Sequence, residues 1–227
     1  MNHFQFLSVT NKHFIPIVKD LLESASKFHP NTPFNLVCVN LSPEEIDYLN
    51  SLHHKLQLII VNKKFKKVFS TLPRHLGPKD KDHEEGYCTS CRSWFALEVM
   101  EKYDTNVFYL DADVFFKDKI DGLFPHLSGV DFMIRAKNED RHEFTCNAGM
   151  VFVKNSPLNK KLLASWAQKT REMGISWRSN QWTLNEIIRE NWDDIVYKNF
   201  PLEFNGISTN EKSIICHNKG KGAHPGS

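Results

Sequence analysis

The first sixty residues alternate short apolar runs with longer stretches of mixed polarity. The apolar runs FQFLSV, FNLVCV and LQLIIV have the length and composition of buried β-strands. A helix is predicted from about Phe14 to Lys27, and a second one starts at Ser42, where Pro43 and two glutamates suit the first turn. Strands that alternate with helices predict a mainly parallel sheet with helices on its faces.

The regular pattern is lost between Asn62 and Gly86 and returns afterwards. This charged stretch contains Pro and Gly and has no sustained period, which is typical of a functional lid or a disordered loop. A helix is predicted from about Thr89 to Tyr103, and the apolar stretches NVFYLDADVFF, DFMIRA and CNAGMVFV follow it. Two more helices are predicted, near residues 158–172 and 181–190. Neither a repeat nor a linker divides the chain, so we expect one domain over residues 1–220 and a flexible tail over 221–227.

The composition is that of an ordinary globular protein. Of the 227 residues, 41% are hydrophobic and 25% are charged, and the formal net charge of +2 gives no reason to expect nucleic acid as a partner. No run of about 18 apolar residues occurs, so no transmembrane segment is expected. Five cysteines, an odd number, favour a reducing compartment, and the N-terminal residues lack the pattern of a signal peptide. We therefore expect a cytoplasmic protein.

A CxxC pair raises the question of a zinc or redox site. Cys88 and Cys91 have no second pair to complete a set of four zinc ligands. Together with Phe95 and Val99 they fall at the spacing of one buried helix face. We therefore predict that both cysteines are core residues.

Two carboxylates interrupt the most apolar stretch of the chain. Asp111 and Asp113 stand one residue apart in NVFYLDADVFF, and burial of two unpaired charges is costly. In a continuous strand both side chains would face one side, about 6 to 7 Å apart. The strand therefore either ends there, at a sheet edge open to water, or presents both carboxylates to a cation such as Mg²⁺ or Mn²⁺. The cation is favoured, because ligands of open α/β sheets bind at the carboxyl ends of strands.

Two classes of enzyme place such a pair after an apolar strand. In phosphatases of the haloacid dehalogenase class the motif lies near the start of the chain, whereas more than 100 residues precede Asp111 here. The other class, the metal-dependent nucleotide-sugar glycosyltransferases, matches more of the sequence. The stretch YLDADVFF closely resembles the YLDaDvlv signature of GT-A glycosyltransferases, particularly the glycogenin-like and bacterial lipopolysaccharide galactosyltransferase group, family 8.

Further stretches resemble motifs of this family and occur in the family's order. Arg92 matches an arginine on the helix before the motif strand, and CNAGMVFVKNS is similar to FNAGVLLIN. NQWTLNEII is similar to the helix start DQdiLN, and HNKGKG resembles the HxxGxxKPW tail. Thr10 and Asn11 match the segment that contacts the uracil base. The resemblance spans nearly the whole chain and implies an α/β fold of GT-A type, with a mainly parallel Rossmann-like sheet and a small antiparallel element.

The resemblance also implies roles for individual residues. The metal ligands would be Asp111, Asp113 and His217, and the metal is expected to be Mn²⁺, with Mg²⁺ as the alternative. Asn180 and Gln181 would lie at the reacting sugar, and Gln181 matches the position of the family's debated nucleophile or stabiliser. The acceptor is expected to be a glycan, a glycolipid or a protein-linked sugar. The donor, expected to be a UDP-hexose, would contact Thr10, Asn11, Arg92, Asp111, Ala112, Asn147, Ala148, Gly149, Lys219 and Gly220.

Two positions depart from the family pattern. Asn180 replaces the aspartate before Gln181, and Ala223 stands in place of the lysine of KPW, so Lys219 or Lys221 would have to supply the phosphate contact. These departures leave open whether the transfer retains or inverts the anomeric configuration. Two other functions remain as alternatives: a metal-dependent phosphatase or phosphotransferase that uses the two aspartates, and a sugar-nucleotide binding module without catalysis.

The contacts of the acceptor are less defined. Trp177 and Trp182 flank the Asn180–Gln181 pair, and aromatic faces stack on sugar rings, so both are candidate acceptor contacts. Core packing is still the more common role of tryptophan. The segment RAKNEDRHEFTC, which precedes Asn147, is a second candidate for a loop at the donor or the acceptor.

Overall fold

The strands predicted from the first apolar runs form the parallel half of the main sheet. The computed structural model describes residues 3–65, 84–174, 179–204, 206–207 and 213–217. The parallel strands are β1 (Phe4–Asn11), β2 (Phe34–Val39), β3 (Leu56–Val61) and β4 (Asn106–Leu110). β1 lies between β2 and β4, and β3 pairs with the outer side of β2. The carboxyl ends of all four strands therefore meet at one edge, where ligands bind in sheets of this kind.

The remaining strands extend the main sheet and form a second, smaller one. They are β5 (Val114–Phe116), β6 (Phe132–Asn138), β7 (Thr145–Val153), β8 (Tyr197–Asn199), β9 (Gly206–Ile207) and β10 (Ile215–His217). In the main sheet β7 is antiparallel to β4, β6 is antiparallel to β7, and β8 is parallel to β6. In the small sheet β10 is antiparallel to β5 and parallel to β9. The predicted fold class, a mainly parallel sheet with a small antiparallel element, is confirmed.

Helices lie along the main sheet in the described part of the chain. They are α1 (Ile15–Phe28), α2 (Pro43–Asn50), α3 (Glu84–Ser90), α4 (Arg92–Tyr103), α5 (Pro157–Met173) and α6 (Ser179–Glu190). The start of α2 is fixed by a capping box, in which the Ser42 hydroxyl accepts from the Glu45 N–H and the Glu45 carboxylate accepts from the Ser42 N–H. α4 ends at Asp104, which adopts the left-handed conformation. Of the described helices, none is both long and apolar enough to cross a membrane.

Apolar side chains fill both faces of the main sheet. Along β4, Val107 and Tyr109 belong to one buried cluster, whereas Phe108 and Leu110 belong to the other. The first cluster includes residues of α3, α4, α5 and α6, and the second includes residues of α1 and the small sheet. A strand buried on both faces must be apolar throughout, which explains the continuous run NVFYL.

Two sequence predictions about this region have different outcomes. The prediction of a single helix from Thr89 to Tyr103 was wrong, because two helices occupy this region. α3 begins at Glu84, and α4 begins separately at Arg92. The prediction of core cysteines is confirmed, because Cys88 and Cys91 are buried thiols. The break at Cys91 leaves both thiols facing the core, and burial raises the pKa of the Cys91 thiol.

Candidate active site

The two aspartates of the motif lie in a turn that joins the two sheets. β4 ends at Leu110, residues 111–113 make the turn, and β5 begins at Val114. The Val114 N–H donates to the carbonyl oxygen of Asp111 at 3.1 Å, the i to i+3 bond of a β-turn. A single strand through both carboxylates was therefore the wrong interpretation. β4 ends at the sheet edge, so Asp111 follows the main sheet and Asp113 leads into the small one, and both carboxylates lie where a cation can reach them.

Two buried side chains bind one carboxylate oxygen of Asp111. Nη2 of Arg92 lies 3.2 Å from Oδ1 of Asp111, and the Tyr109 hydroxyl donates to the same oxygen at 3.0 Å. Burial raises the pKa of Tyr109 well above its ordinary value, so the hydroxyl keeps its proton and remains a donor. One carboxylate oxygen of Asp111 is thus bound by the protein itself, and Oδ2 is the atom available to a ligand.

Arg92 connects three segments of the chain. Its Nε donates to the carbonyl of Thr89 at 3.0 Å, and Nη1 donates to the carbonyl of Ala148 on β7. The guanidinium also lies over the ring of Tyr109, with Cζ 4.6 Å from the ring centroid. Only 5% of Arg92 is exposed. The structure therefore assigns Arg92 a supporting position under Asp111, while its contact with the donor remains a prediction.

The stretch Asn147 to Gly149 lies where β7 loses its register with β6. Adjacent residues of β6, Ile134 and Arg135, pair with Val151 and Asn147, so the β7 residues between those two have no partner on β6. On its other side β7 keeps a regular register with β4. Oδ1 of Asn147 accepts from the Gly149 N–H at 2.7 Å and stabilises the irregular segment. Such bulges are common beside active sites, because they redirect side chains out of the sheet.

Gly149 lies in contact with residues from both sheets. A Cβ atom at this position would lie 2.6 Å from Oδ2 of Asp111, 3.0 Å from Oδ1 of Asn147 and 3.1 Å from Cε1 of His217. Its carbonyl also accepts from the Asp111 N–H at 2.7 Å. Only glycine allows Asp111 and His217 to approach the backbone this closely.

His217, at the end of β10, faces Asp113, the turn residue just before β5. Nδ1 of His217 lies 3.6 Å from Oδ1 of Asp113, which is longer than an N–H···O hydrogen bond. His217 is only 4% exposed, and its Nδ1 has no hydrogen-bond partner among the described residues. Two atoms that ligate one small divalent ion at about 2.1 Å lie roughly 3.0 to 4.2 Å apart. The spacing of this pair therefore fits two ligands of one ion.

The types of donor atom also fit a divalent metal. Carboxylate oxygens of Asp111 and Asp113 with one imidazole nitrogen of His217 suit Mn²⁺ or Mg²⁺ better than a soft metal. Within the described ranges, no three His, Cys, Asp or Glu side chains are close enough to make a complete ligand group. Of the predicted ligands, the structure thus brings Asp113 and His217 together, and it places Asp111 beside Gly149.

Thr10 and Asn11 are the last residues of β1, not residues that follow the strand, and both are fully buried. The Thr10 hydroxyl donates to the carbonyl of Asn11 at 3.3 Å. The Asn11 amide donates to Oε1 of Glu84 at 2.9 Å, and Oε2 of Glu84 accepts from the amide of Asn40 at 2.9 Å. Sequence analysis missed Glu84 and Asn40, because Glu84 lies in the stretch interpreted as a loop.

Asn180 and Gln181 lie in the first turn of α6. Asn180 is 1% exposed, and its Nδ2 has no partner among the described residues. Its carbonyl accepts from the indole of Trp166 at 2.7 Å, which anchors α6 on α5. Gln181 is half-buried, whereas 47% of Trp182 is exposed.

Asn185 connects α6 to the strand that carries Asn147. Its Oδ1 accepts from the backbone N–H of Cys146 at 2.9 Å and from the Cys146 thiol at 3.1 Å. Sequence analysis did not assign a role to Asn185, although it lies within the quoted stretch NQWTLNEII. A buried asparagine on a helix packed against a strand was the signal available for it.

Of the remaining predicted positions, the structure describes only Ala112. Ala112 is the central residue of the turn and is 8% exposed, within the cluster that includes α1 and the small sheet. The other positions and the predicted tail lie outside the described residues: Trp177, Lys219, Gly220, Lys221, Ala223 and residues 221–227. The roles of all predicted site residues remain predictions.

Comparison with known proteins identifies the family. The sequence model of a family described as nucleotide-diphospho-sugar transferase matches residues 78–213, more than half of the chain. A search of curated protein sequences found no significant match.

Several solved structures share the fold. The galactosyltransferase LgtC, in complex with donor and acceptor sugar analogues, superposes with a TM-score of 0.60 at 15% identity over 96% of this chain and 87% of that one. Mouse xyloside xylosyltransferase 1 gives 0.56 at 14% identity over 95% and 97%. The bifunctional glycosyltransferase WbbM gives 0.64 at 12% identity over 97% of this chain and 46% of its own.

The family match covers the aspartate pair, the irregular segment of β7 and the start of α6. It supports glycosyl transfer and neither the phosphatase alternative nor a module without catalysis. The chain belongs to the nucleotide-diphospho-sugar transferase family and is a glycosyltransferase of GT-A fold.

Proposed function

We propose that this protein transfers a hexose from a UDP-hexose to a glycan, a glycolipid or a protein-linked sugar, and that it requires Mn²⁺, for which Mg²⁺ is the alternative. The observation that carries the proposal is the Asp113–His217 pair, 3.6 Å apart, beside Asp111 and Gly149 at the carboxyl edge of the main sheet. A galactosyltransferase and a xylosyltransferase both superpose on nearly this whole chain; galactose is a hexose and xylose a pentose, and a hexose is the sugar that we propose. The buried thiols favour a reducing compartment, and we assign the protein to the cytoplasm.

The reaction separates a sugar from a diphosphate, so negative charge develops on the leaving group. When bound, a divalent cation stabilises that charge. Asp113 and His217 would hold the cation, and Asp111 would contribute only Oδ2, because Arg92 and Tyr109 bind its Oδ1. Arg92 and Tyr109 keep this carboxylate in one orientation before the donor binds, which lowers the ordering required on binding.

The positions of the strand ends support an arrangement of the donor along the edge of the main sheet. Leu7 pairs with Tyr109, so Asp111 lies near the level of Val9, two residues before Asn11. From strand rise and spacing, the Cα atoms of Asp111 and Asn11 are roughly 8 Å apart. A nucleoside diphosphate can span this distance, with its base at Asn11 and its phosphates at Asp113. The sugar would then lie over Asn147 and Gly149.

The reacting carbon would lie near the first turn of α6. Gln181 and Asn180 carry neutral amides, which neither accept nor release a proton at neutral pH. Gln181 would therefore act by directing its amide oxygen at the positive charge that develops on the sugar ring. Trp182 is exposed beside it and offers an aromatic face to a sugar acceptor.

Calorimetric titration of UDP and GDP, each with and without Mn²⁺, tests this proposal. We expect Mn²⁺-dependent binding of UDP to the unmodified protein. Asp113→Asn keeps the volume of the side chain but removes its charge, and it should abolish the Mn²⁺ dependence. Asp118→Asn, at an exposed position after β5, makes the same change outside the site and should bind as the unmodified protein does. Absence of nucleotide binding under every metal condition would overturn the proposal.

A further inference from the structure

Glu84 joins the carboxyl ends of two adjacent strands of the main sheet. Its Oε1 accepts from Nδ2 of Asn11 at the end of β1, and its Oε2 accepts from Nδ2 of Asn40, which follows β2. Both bonds are 2.9 Å long. A carboxylate offers acceptors only, so it forces both asparagines to present their NH₂ groups to it.

The orientation of Asn40 is fixed independently of Glu84. Its Nδ2 also donates to the carbonyl of Lys63 at 2.9 Å, and its Oδ1 accepts from the N–H of the same residue at 2.8 Å. Asn40 has φ of +54°, a left-handed conformation that asparagine tolerates better than most residues. Rotating its amide by half a turn would place donor against donor and acceptor against acceptor at Lys63. The Asn40 amide therefore has a single orientation, with its NH₂ group directed at the side chain of residue 84.

Asn11 has no such second restraint. It is fully buried, and its Oδ1 has no hydrogen-bond partner in the part of the chain that the structure describes. A buried acceptor without a partner costs free energy, and the cost is recovered when a ligand supplies a donor. Because Glu84 holds the NH₂ group, the atom that Asn11 offers to a ligand is an acceptor.

We propose that Glu84 is a positioning residue for nucleotide selection: it holds the Asn11 amide so that Oδ1 accepts an N–H group of the base. Uracil and guanine carry a ring N–H on their pairing edge, whereas cytosine and adenine carry a ring nitrogen that is itself an acceptor. The site therefore favours UDP and GDP over CDP and ADP. This inference rests on the proposed function, because it needs a nucleotide at the end of β1.

Replacing Glu84 by glutamine tests the inference with almost no change of shape. Glutamine offers one acceptor and one NH₂ group. Because Asn40 cannot turn, Gln at position 84 must direct its oxygen to Asn40 and its NH₂ group to Asn11. The Asn11 amide then turns, and its own NH₂ group takes the position that Oδ1 had. We expect UDP to bind about 10- to 100-fold more weakly and CDP to lose its disadvantage.

A double variant should restore the original pattern. The double variant combines Asn11→Asp with Glu84→Gln. The NH₂ group of the new glutamine donates to one oxygen of the new aspartate, and the other oxygen of that carboxylate remains as the acceptor for the base. The pair carries one negative charge, as in the unmodified protein. The preference for UDP over CDP should therefore return, which a merely structural role of Glu84 would not produce. Glu45→Gln, in the capping box of α2, is the matched control and should leave both affinities unchanged.

Affinities for UDP, GDP, CDP and ADP are measured by calorimetry in Mn²⁺, with thermal unfolding as a check that each variant folds. Loss of the preference in the Glu84→Gln variant and its return in the double variant support the inference. If the unmodified protein prefers UDP and the Glu84→Gln variant keeps the same UDP to CDP ratio, the inference is wrong and the proposed function stands. If the unmodified protein binds none of the four nucleotides, both are wrong. If the Glu84→Gln variant fails to fold, the folded double variant is tested alone. A preference for UDP over CDP equal to that of the unmodified protein then supports the inference, and loss of that preference contradicts it.

Discussion

Nδ1 of His217 faces Oδ1 of Asp113 at 3.6 Å across the antiparallel pair of β10 and β5. The strand pairing sets this distance, because His217 lies opposite Val114, the residue that follows Asp113. A ladder of backbone hydrogen bonds is a more rigid support than a loop. The pair is therefore arranged before any ligand arrives.

Removal of the imidazole should weaken metal binding. We expect His217→Ala to raise the dissociation constant for Mn²⁺ by about tenfold or more, because one ligand of the ion is lost. Electron paramagnetic resonance of free Mn²⁺ during a titration measures this directly, without any assay of transfer. His126→Ala, at an exposed position, is the control and should behave as the unmodified protein. Equal affinities in all three proteins would contradict the assignment of His217 as a ligand.

A methyl group at position 149 should displace the carboxylate of Asp111. The Cβ of Gly149→Ala would lie 2.6 Å from Oδ2 of Asp111, too close for two atoms that are not bonded. Binding of UDP in the presence of Mn²⁺ should fall by about tenfold or more, while the protein stays folded. Gly122→Ala is a suitable control, because its Cβ would meet only the ring of Phe204 at 3.3 Å. Calorimetry and thermal unfolding of both variants separate an effect on the site from an effect on the fold.

The hydroxyl of Tyr109 should matter for binding through Asp111. Tyr109→Phe removes the 3.0 Å hydrogen bond to Oδ1 but keeps the ring under Arg92. We expect a loss of about 1.5 kcal/mol in the free energy of unfolding, the low end of the range for a hydrogen bond to a charged group, because Asp111 is partly exposed. Affinity for Mn²⁺ with UDP should fall several-fold as the carboxylate becomes less ordered. Tyr48→Phe, on the exposed part of α2, should change neither quantity.

Mild acid should destabilise the fold through His29. Burial lowers the pKa of this histidine from 6.5 to about 4, because its ring packs between Phe6 and Phe116. Below about pH 6.5 the unfolded chain takes up a proton that the folded chain does not, so stability is lost as the pH falls toward 4. The free energy of unfolding should be about 2 kcal/mol lower at pH 5 than at neutral pH. Burial also lowers the pKa of His53, which adds to the effect in the same direction.

Urea unfolding at pH 7.5 and pH 5 measures this dependence. His29→Gln cannot titrate at this position, so its stability should vary less between the two pH values. His126→Gln removes an exposed histidine and should keep the full dependence. An identical pH dependence in the unmodified protein and in His29→Gln would show that His29 is not its source.

The regular elements were within reach of sequence analysis, because periodicity and capping are local signals. The runs FNLVCV and LQLIIV correspond residue for residue to β2 and β3, and α2 starts after Ser42 as its capping residues predict. The run NVFYLDADVFF led to a wrong prediction of one continuous strand, because local signals do not show where one sheet ends and the other begins. Apolar residues continue on both sides of Ala112, and composition alone does not reveal that they belong to two different sheets.

The supports of the site were not predictable in this way. Arg92 and Tyr109 bind one oxygen of Asp111, and Glu84 connects Asn11 with Asn40; each contact joins residues distant in sequence or on different elements. Such contacts leave no period in the sequence, since they depend on how the strands and helices pack. Motif resemblance predicted which residues lie at the donor, and the packing determines which of them are held by other side chains.

The division of the site between two sheets has a mechanical consequence. Asp111 and Gly149 move with the large sheet, whereas Asp113 and His217 belong to the small one, and Ala112 joins the two aspartates. A change in the angle between the two sheets would alter the gap between the carboxylates, but the small sheet packs on α1, where the Phe116 N–H donates to the Ser24 hydroxyl at 3.0 Å. The spacing of Asp111, Asp113 and His217 therefore depends on the packing of the small sheet against α1 as well as on the strand ladders.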